Sequence, residues 1–329
     1  MNNNTSYLFD LVPPESKKPQ EDNSWLTKRP FVEKDQTLKE DAKHFIAGDK
    51  LAGAINTAIA LGKPLLLTGE PGTGKTQAAF YAAWVLNVNC FHFQVKSDST
   101  AQDLLYSFDM VKYFHDSHLH SILYQQKHNN NIELNEETIK NEKLKKEKYL
   151  EKRPFWKSID IAQKEEVPQI LLIDEIDKAP RDFPNDLLHE LDQMEFMILE
   201  TDDKISAPQN LRPIVFITSN SERRLPEPFL RRCVYHNIVL NEKIVKNAVL
   251  SRRNEFDNLS NTFIELALKR FLSIRGKDLR KLPATSELLA WLRALSLNVD
   301  KHHEKLDEDL SKLPYLSILL KDRQDISEL

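Results

Sequence analysis

The sequence is poor in cysteine, in long apolar runs and in excess basic charge. Its 329 residues contain only two cysteines, Cys90 and Cys233, so a disulfide framework is not implied and a reducing cytoplasm is favoured. No apolar run approaches the roughly 20 residues of a membrane helix, and the N-terminal stretch lacks the basic and apolar regions of a signal peptide. The net charge of −4 disfavours non-specific nucleic-acid binding. We therefore expect a soluble, cytoplasmic protein with no membrane partner.

Three regions of different character follow one another along the chain. Residues 1–37 are polar and contain prolines, which predicts a mobile N-terminal arm. Residues 38–240 alternate helical periods with short apolar runs such as "PLLLT" and "CFHFQV", a rhythm typical of an α/β protein with a parallel sheet. Within this region, the highly charged residues 126–153 predict an insertion that packs little, as a loop or a solvated helix. Residues 241–329 contain only helix-like runs and predict a small helical domain.

The stretch "GEPGTGKT" fits the phosphate-loop (Walker A) pattern. Gly72 and Gly74 carry no side chain, so backbone N–H groups can approach phosphate oxygens closely. Lys75 supplies a cation for the β- and γ-phosphates, and the Thr76 hydroxyl is a ligand for Mg²⁺. A strand-like run precedes the loop and a helix-like run follows it, which disfavours the alternative of an ordinary turn with a stray lysine. The residues predicted to contact the nucleotide are Gly69, Glu70, Pro71, Gly72, Thr73, Gly74, Lys75, Thr76 and Gln77.

Two later strand-like runs end in polar residues that complement this loop. "ILLIDEID" ends in Asp174, which is placed to hold Mg²⁺, and in Glu175, which is placed to polarise an attacking water. The second acid favours hydrolysis over transfer to a small substrate. "PIVFITSN" delivers the Asn220 amide, which suits the orientation of a water or of the γ-phosphate. A solvated strand end and an ordinary asparagine turn are the alternative interpretations.

A third stretch, "LPEPFLRRC", places Arg231 and Arg232 side by side. No acid follows them closely, and the nearest one is Glu227. A guanidinium held out on a loop without an acidic partner suits the stabilisation of charge on a transferring phosphoryl group, often from a neighbouring subunit. Arg232 is the first candidate and Arg231 the second, and solvated surface arginines are the alternative. If the role is functional, the protein must be a ring or at least a dimer.

The combination of the phosphate loop, "LLIDEIDKAP", "FITSN" and "LPEPFLRRC" resembles the AAA+ ATPases over roughly residues 38–325. "ALGKPLLLTGEPGTGKTQAA" and "LPATSELLAWLRAL" are similar to phrases of the MoxR-like branch. The resemblance implies a P-loop NTPase fold, with a parallel five-stranded sheet flanked by helices and a small C-terminal helical lid. It also implies ATP, Mg²⁺ and a hexameric ring. In the family pattern Asp174 and Glu175 form Walker B, Asn220 is the first sensor, and Arg232 is the arginine finger. Phe45 and Ile46 resemble the stretch that packs on adenine.

The same resemblance implies a remodelling chaperone that acts on a partner protein, with a von Willebrand factor A domain as the suggested partner feature. Two alternatives stay open: a nucleotide-gated scaffold of a defence or signalling complex with little hydrolysis, and a DNA-processing motor, which the acidic balance disfavours. The chain departs from the pattern of many relatives because Ser286 stands where a second-sensor arginine is expected. Arg280, Lys281 and Arg293 are possible substitutes.

Overall fold

The structure, a computed structural model, describes residues 39, 42–129, 145–297, 306 and 309–329. The chain divides into two compact units. The sheet unit comprises Ala47–Gly69 and Lys75–Ile238. The lid unit comprises the described residues up to Ile46, the segment Glu70–Gly74 and the described residues from Val239 onward. The predicted N-terminal arm, residues 1–37, lies outside the described residues.

The centre of the sheet unit is a five-stranded parallel sheet, as predicted. Its strands are β1 (Leu65–Gly69), β2 (Cys90–Gln94), β5 (Ile170–Asp174), β8 (Ile214–Ser219) and β9 (Val234–Ile238). They lie in the order β2-β5-β8-β1-β9. All of β5 is buried, which explains its continuous apolar run. Because all the strands are parallel, their carboxyl ends meet at one edge of the sheet.

Helices pack on this sheet through small and aliphatic side chains. Helix α1 (Asp49–Leu61) precedes β1, and helix α2 (Lys75–Leu86) follows it. Helix α2 buries Ala78, Ala79, Ala82 and Ala83, which allows close approach to the strands. Three further helices are α3 (Ala101–Leu105), α5 (Pro154–Glu165) and α8 (Glu227–Leu230). Together they enclose a core in which Leu66, Leu171, Ile173 and Ile217 from the strands are almost fully buried.

The charged insertion is more ordered at its end than the sequence predicts. Strand β3 (Tyr106–Phe108) pairs antiparallel with β4 (Leu150–Lys152), and α4 (Met110–Asn129) follows β3. A 3-10 turn, Lys146–Tyr149, precedes β4. Residues 145–148 are exposed, as predicted for a loop or solvated helix, but the prediction is wrong for residues 149–152. Tyr149 is buried with its hydroxyl donating to Asp116 Oδ2 at 2.8 Å, and Leu150–Lys152 form a paired strand. Residues 130–144 lie outside the described part of the chain.

A second difference lies between β5 and β8. The run "FPNDLLHELDQM", whose leucines have the spacing of one amphipathic helix, forms two short helices, α6 (Phe183–Asp186) and α7 (Leu188–Gln193). Met194 then turns the chain in the left-handed conformation, at φ 54°. An unpredicted antiparallel hairpin follows, built from β6 (Glu195–Ile198) and β7 (Asp203–Ser206).

The lid unit is helical after Val239, as predicted. Its helices are α9 (Glu242–Ser251), α10 (Asn261–Arg275), α11 (Thr285–Ser296), α12 (Leu316–Leu319) and α13 (Arg323–Ser327). Trp291 is fully buried in their core, and its indole N–H donates to the Pro314 carbonyl at 2.7 Å. None of the helices in the described ranges combines the length and the apolar character needed to span a bilayer.

Candidate active site

Asp174, at the carboxyl end of β5, is held by several hydrogen bonds at the sheet edge. Its Oδ1 accepts from Thr76 Oγ1 at 2.9 Å and from Thr218 Oγ1 at 2.5 Å. His92 Nε2 lies 3.2 Å from its Oδ2. Burial opposes ionisation of this carboxyl, but the hydrogen bonds from His92, Thr218 and Thr76 outweigh burial and hold its pKa below the ordinary value. Asp174 is therefore a carboxylate at neutral pH.

The contact between Thr76 and Asp174 brings together the two predicted magnesium ligands. Both offer oxygen, which is the ligand atom that Mg²⁺ prefers. The carboxylate is only 4% exposed, and its remaining partners hold it in one orientation. The residues present therefore fit a magnesium ion held at the start of α2 and the end of β5.

Glu175 follows directly and has a strained backbone. It adopts the left-handed conformation at φ 59°, which is uncommon for a residue with a side chain. Its backbone N–H donates to Thr218 Oγ1 at 2.8 Å. The 3-10 turn Ile176–Lys178 begins directly after this residue.

Three donors surround the Glu175 carboxylate. Gln94 Nε2 donates to its Oε2 at 2.6 Å, and Lys178 Nζ forms an ion pair with the same oxygen. Asn220 Nδ2 donates to Oε1 at 3.3 Å. The hydrogen bond to Glu175 raises the pKa of Lys178, which keeps the ammonium charged. The structure thus brings the predicted water-polarising acid and the predicted sensor amide into contact.

A buried acid that sequence reasoning missed fixes the loop of Asn220. Asp177 Oδ1 accepts from the Asn220 backbone N–H at 3.2 Å, and its Oδ2 accepts from the Glu222 N–H at 3.0 Å. Asp177 is only 3% exposed. The turn after β5 therefore holds the turn after β8 in place.

The phosphate loop joins β1 to α2 with the backbone geometry that its pattern predicts. Gly72 and Gly74 lie at φ 73° and 88°, which only glycine adopts without strain. Lys75 is buried, and its Nζ donates to the Gly69 carbonyl at 2.8 Å. Thr73 Oγ1 donates to the Glu70 carbonyl at 2.9 Å. Because α2 begins at Lys75, its N-terminal N–H groups face the loop, an arrangement suited to anions.

The other predicted nucleotide contacts are less uniform. Pro71 is exposed, and Gln77 is half-buried in the first turn of α2. Phe45 lies against the loop: a Cβ placed on Gly74 would meet its ring carbon Cε2 at 2.8 Å. Ile46, predicted beside it as an adenine contact, is 52% exposed.

The two arginines of "LPEPFLRRC" have acidic neighbours, contrary to the prediction of guanidinium groups without an acidic partner. Arg232 Nε lies 2.5 Å from Asp192 Oδ2, and its Nη1 donates to the Pro228 carbonyl at 2.9 Å. The prediction was wrong on this point because Asp192 lies 40 residues upstream, at the end of α7, where sequence distance hides it. Arg231 is more exposed and lies 3.8 Å from Glu227 Oε2.

The candidates for a second sensor are occupied or exposed. Arg293 pairs with Glu255 at 2.6 Å, and the Ser286 hydroxyl donates to Glu287 at 2.9 Å. The side chains of Arg280 and Lys281 are exposed. A different lid arginine, Arg275, lies 2.5 Å from the Glu70 carboxylate of the phosphate loop.

Sequence reasoning missed the side chains that orient the predicted site residues. They are His92, Gln94, Asp177, Lys178 and Thr218. A signal existed for three of them, because Asp177 and Lys178 lie within "DEIDK" and Thr218 within "FITSN". His92 and Gln94 are recognisable only once β2 is known to lie beside β5, with Gln94 opposite Asp174.

Solved structures of low similarity were found. A provisionally assigned ATPase from Cytophaga hutchinsonii is 15% identical, with a TM-score of 0.37 over 88% of this chain and 82% of that one. NtrX from Brucella abortus, in complex with ADP, is 15% identical, with a TM-score of 0.40 over 84% of this chain. The same protein with ATP is 16% identical, with a TM-score of 0.38. The chain spans just over half of the NtrX chains, 55% and 56%. No curated protein matches.

A family model gives the assignment. The model of the AAA domain (dynein-related subfamily) matches residues 64–233, which is just over half of the chain. The matched range runs from the residue before β1 to the cysteine after Arg232, and so contains the phosphate loop, Asp174, Glu175, Asn220 and both arginines of "LPEPFLRRC". The predicted AAA+ fold is confirmed, and the chain belongs to the AAA domain family, dynein-related subfamily.

Proposed function

We propose that the protein is an ATP-hydrolysing AAA+ ATPase of MoxR-like type that remodels a partner protein. One observation carries the proposal: a continuous hydrogen-bonded chain at the carboxyl edge of the sheet. It runs from Thr76 through Asp174 and Thr218 to the Glu175 backbone, and Asn220 contacts the Glu175 side chain. These are the groups that cleavage of a triphosphate by water requires, in mutual contact.

Each residue has a distinct role in this reaction. Thr76 and Asp174 would hold Mg²⁺, which, when bound, neutralises charge on the phosphates. Lys75 and the N–H groups of the loop bind the triphosphate. Asn220 orients water, and Glu175 accepts a proton from it as the water oxygen bonds to the γ-phosphorus and ADP departs.

A second candidate function, a nucleotide-gated scaffold with little hydrolysis, also has a supporting observation. Gln94 and Lys178 both occupy Oε2 of Glu175. A carboxylate oxygen that already accepts from two donors must lose a donor before it can accept from an attacking water. Turnover therefore requires that Glu175 leave Lys178, and a chain in which this release is rare would bind ATP and hydrolyse it slowly.

Steady-state ATP turnover of the purified chain separates these functions. For the ATPase, replacing Glu175→Gln should lower kcat by roughly 100-fold or more, the usual effect of a lost general base, with ATP affinity retained. Lys75→Ala should abolish nucleotide binding. Wild-type turnover no faster than that of the Glu175→Gln variant, with ATP still bound, would favour the scaffold.

The proposal also includes the oligomeric state of the protein and its client. We infer a homo-oligomer, with a hexameric ring as the expected form, located in the cytoplasm. The half-exposed side chain of Arg232 supports a trans contact, since it is within reach of a neighbouring copy. The proposed client is a protein with a von Willebrand factor A domain. Capture on the ATP-loaded Glu175→Gln variant, followed by mass spectrometry, tests this, and retention of only other clients would refute the partner class.

A further inference from the structure

Three segments of the lid unit contact the phosphate loop at three successive positions. Glu70 contacts Arg275 at the end of α10. Gly72 lies against the start of α11, because a Cβ placed on it would meet Ala284 Cβ at 2.8 Å. Gly74 lies against the Phe45 ring. Within the lid unit, positions 70, 72 and 74 of the loop therefore each lie against another segment of that unit.

Arg275 is the basic side chain among the lid residues just named. Its side chain is only 11% exposed. One Nη lies 2.5 Å from Glu70 Oε2, and the other donates to the Pro283 carbonyl, directly before Ala284. The guanidinium thus bridges the loop carboxylate and the backbone that leads into α11, and its planar fork favours such a two-point contact.

We propose that Arg275 is a positioning residue for nucleotide binding, and that it acts through Glu70 to hold the phosphate loop in its binding conformation. This inference rests on the proposed ATP binding. The loop contains glycines whose freedom must be lost when its N–H groups converge on phosphates. A loop held in that conformation beforehand binds with a smaller loss of entropy.

The positive charge of Arg275 has a second effect on nucleotide binding. Glu70 places a carboxylate in the loop that receives a polyanion, and like charges repel. The Arg275 guanidinium neutralises that carboxylate. Replacing Arg275 therefore removes the anchor and leaves an anion in the loop, whereas replacing Glu70 removes both the anchor and the anion.

The test is a titration with a fluorescent ADP analogue, which needs no hydrolysis. We expect Arg275→Ala to weaken binding roughly five- to tenfold or more, within the usual range of coupling between sites. Arg275→Lys should restore part of the affinity. Glu70→Ala should weaken binding less, and Glu70→Ala combined with Arg275→Ala should be no weaker than Arg275→Ala alone, because the two residues act as a pair. Additive losses would overturn the proposal.

A matched control separates positioning from general stability. Arg253 is another lid arginine, which donates to the backbone carbonyls of Phe256 and Leu259. Arg253→Ala should lower Tm with unchanged affinity. If it weakens ADP binding as much as Arg275→Ala does, lid stability is the cause and Arg275 has no positioning role.

Hydrogen exchange of the nucleotide-free protein tests the loop directly. Peptides that contain residues 70–74 should exchange faster in Arg275→Ala than in wild type, and at the wild-type rate in Arg253→Ala. Unchanged loop exchange in Arg275→Ala overturns the positioning role whether or not the protein binds ADP. The remaining outcome is faster loop exchange in Arg275→Ala together with a wild-type protein that binds no nucleotide. That outcome would support the anchor and refute the proposed ATPase instead.

Discussion

Thr218 touches both halves of the acidic pair, Asp174 and Glu175. Its hydroxyl donates to Asp174 Oδ1 and accepts from the Glu175 backbone N–H. One rotatable hydroxyl thereby fixes a carboxylate and the strained turn that follows it. The side chain is fully buried, so water cannot replace either bond.

We therefore predict that Thr218→Val, which keeps the shape and removes the hydroxyl, lowers kcat by about 10- to 100-fold, as loss of supporting hydrogen bonds at metal sites does. Thr218→Ser should retain most of the turnover because it keeps the oxygen. Steady-state kinetics with Mg·ATP measure both. Equal turnover in Thr218→Val and wild type would show that this bond is dispensable.

Cys233, next to Arg232, should be chemically inert in the folded protein. Burial, with a smaller effect from the Asp192 charge, raises the pKa of its thiol to about 12. Only the thiolate reacts with iodoacetamide. At pH 8 we expect Cys233 to stay unmodified in the native protein and to be alkylated after unfolding in urea, as read by peptide mass spectrometry. Rapid alkylation of Cys233 in the native protein would contradict a buried thiol with a raised pKa.

At the residue scale, the sequence could predict groups that belong to contiguous motifs. Lys75, Thr76, Asp174 and Glu175 are of this kind; Thr76 contacts Asp174, and Glu175 contacts Asn220. The Arg232 partner could not be predicted, because which acid lies beside α8 depends on how α7 packs. The contact between Arg275 and Glu70 could not be predicted either, because the two residues are 205 positions apart and meet only in the folded chain.

At the scale of elements, Asp177 joins two strand ends through their turns. It lies in the 3-10 turn Ile176–Lys178 after β5, and both its oxygens accept N–H groups from the turn after β8. Neighbouring parallel strands need such a link because their carboxyl ends lead into separate loops. The link places Asn220 within reach of Glu175.

Replacing Asp177→Ala should leave two N–H groups without this acceptor and lower the free energy of unfolding by about 2 to 3 kcal/mol, given that hydrogen bonds to charged groups are the stronger kind. Turnover should fall as far as in Asn220→Ala, and the double variant should be no slower, because Asp177 acts through Asn220. Urea unfolding and steady-state kinetics measure these effects. Asp177→Asn, which keeps one acceptor, should lie between.

The main elements were predictable where apolar runs are long or regular. The buried strands β1, β5 and β8 and the lid helices follow from such runs. The β6/β7 hairpin was not predictable, because Glu195–Ile198 has only four residues, one charged and three apolar, and Met194, without a glycine, makes the turn before it. Strand β4 has only three residues, "LEK", and depends on pairing with β3.

At the scale of the whole molecule, each unit has its own apolar core. The sheet-unit core includes Leu66, Ile173 and Phe155, and the lid-unit core includes Phe271, Trp291 and Leu292. Each core explains how its unit holds its own site residues: Asp174 and Arg232 belong to the sheet unit, and Arg275 belongs to the lid unit. If Arg232 acts on the nucleotide site of a neighbouring copy, its role must be tested in an assembly of several copies.

The shared-site proposal predicts that two inactive variants restore activity when mixed. Lys75→Ala lacks a binding lysine, and Arg232→Ala lacks the finger. In a head-to-tail ring, a site formed by an Arg232→Ala copy and the next Lys75→Ala copy is complete, and random pairing gives about one quarter of such sites. We expect turnover near that fraction once native mass spectrometry shows mixed assemblies.

Arg231→Ala tested alone discriminates the two arginines, since the proposal expects this variant to keep its ATP turnover. Mixed assemblies without recovered turnover would show that Arg232 does not serve a neighbouring site, and would leave its contact with Asp192 as its role in the fold.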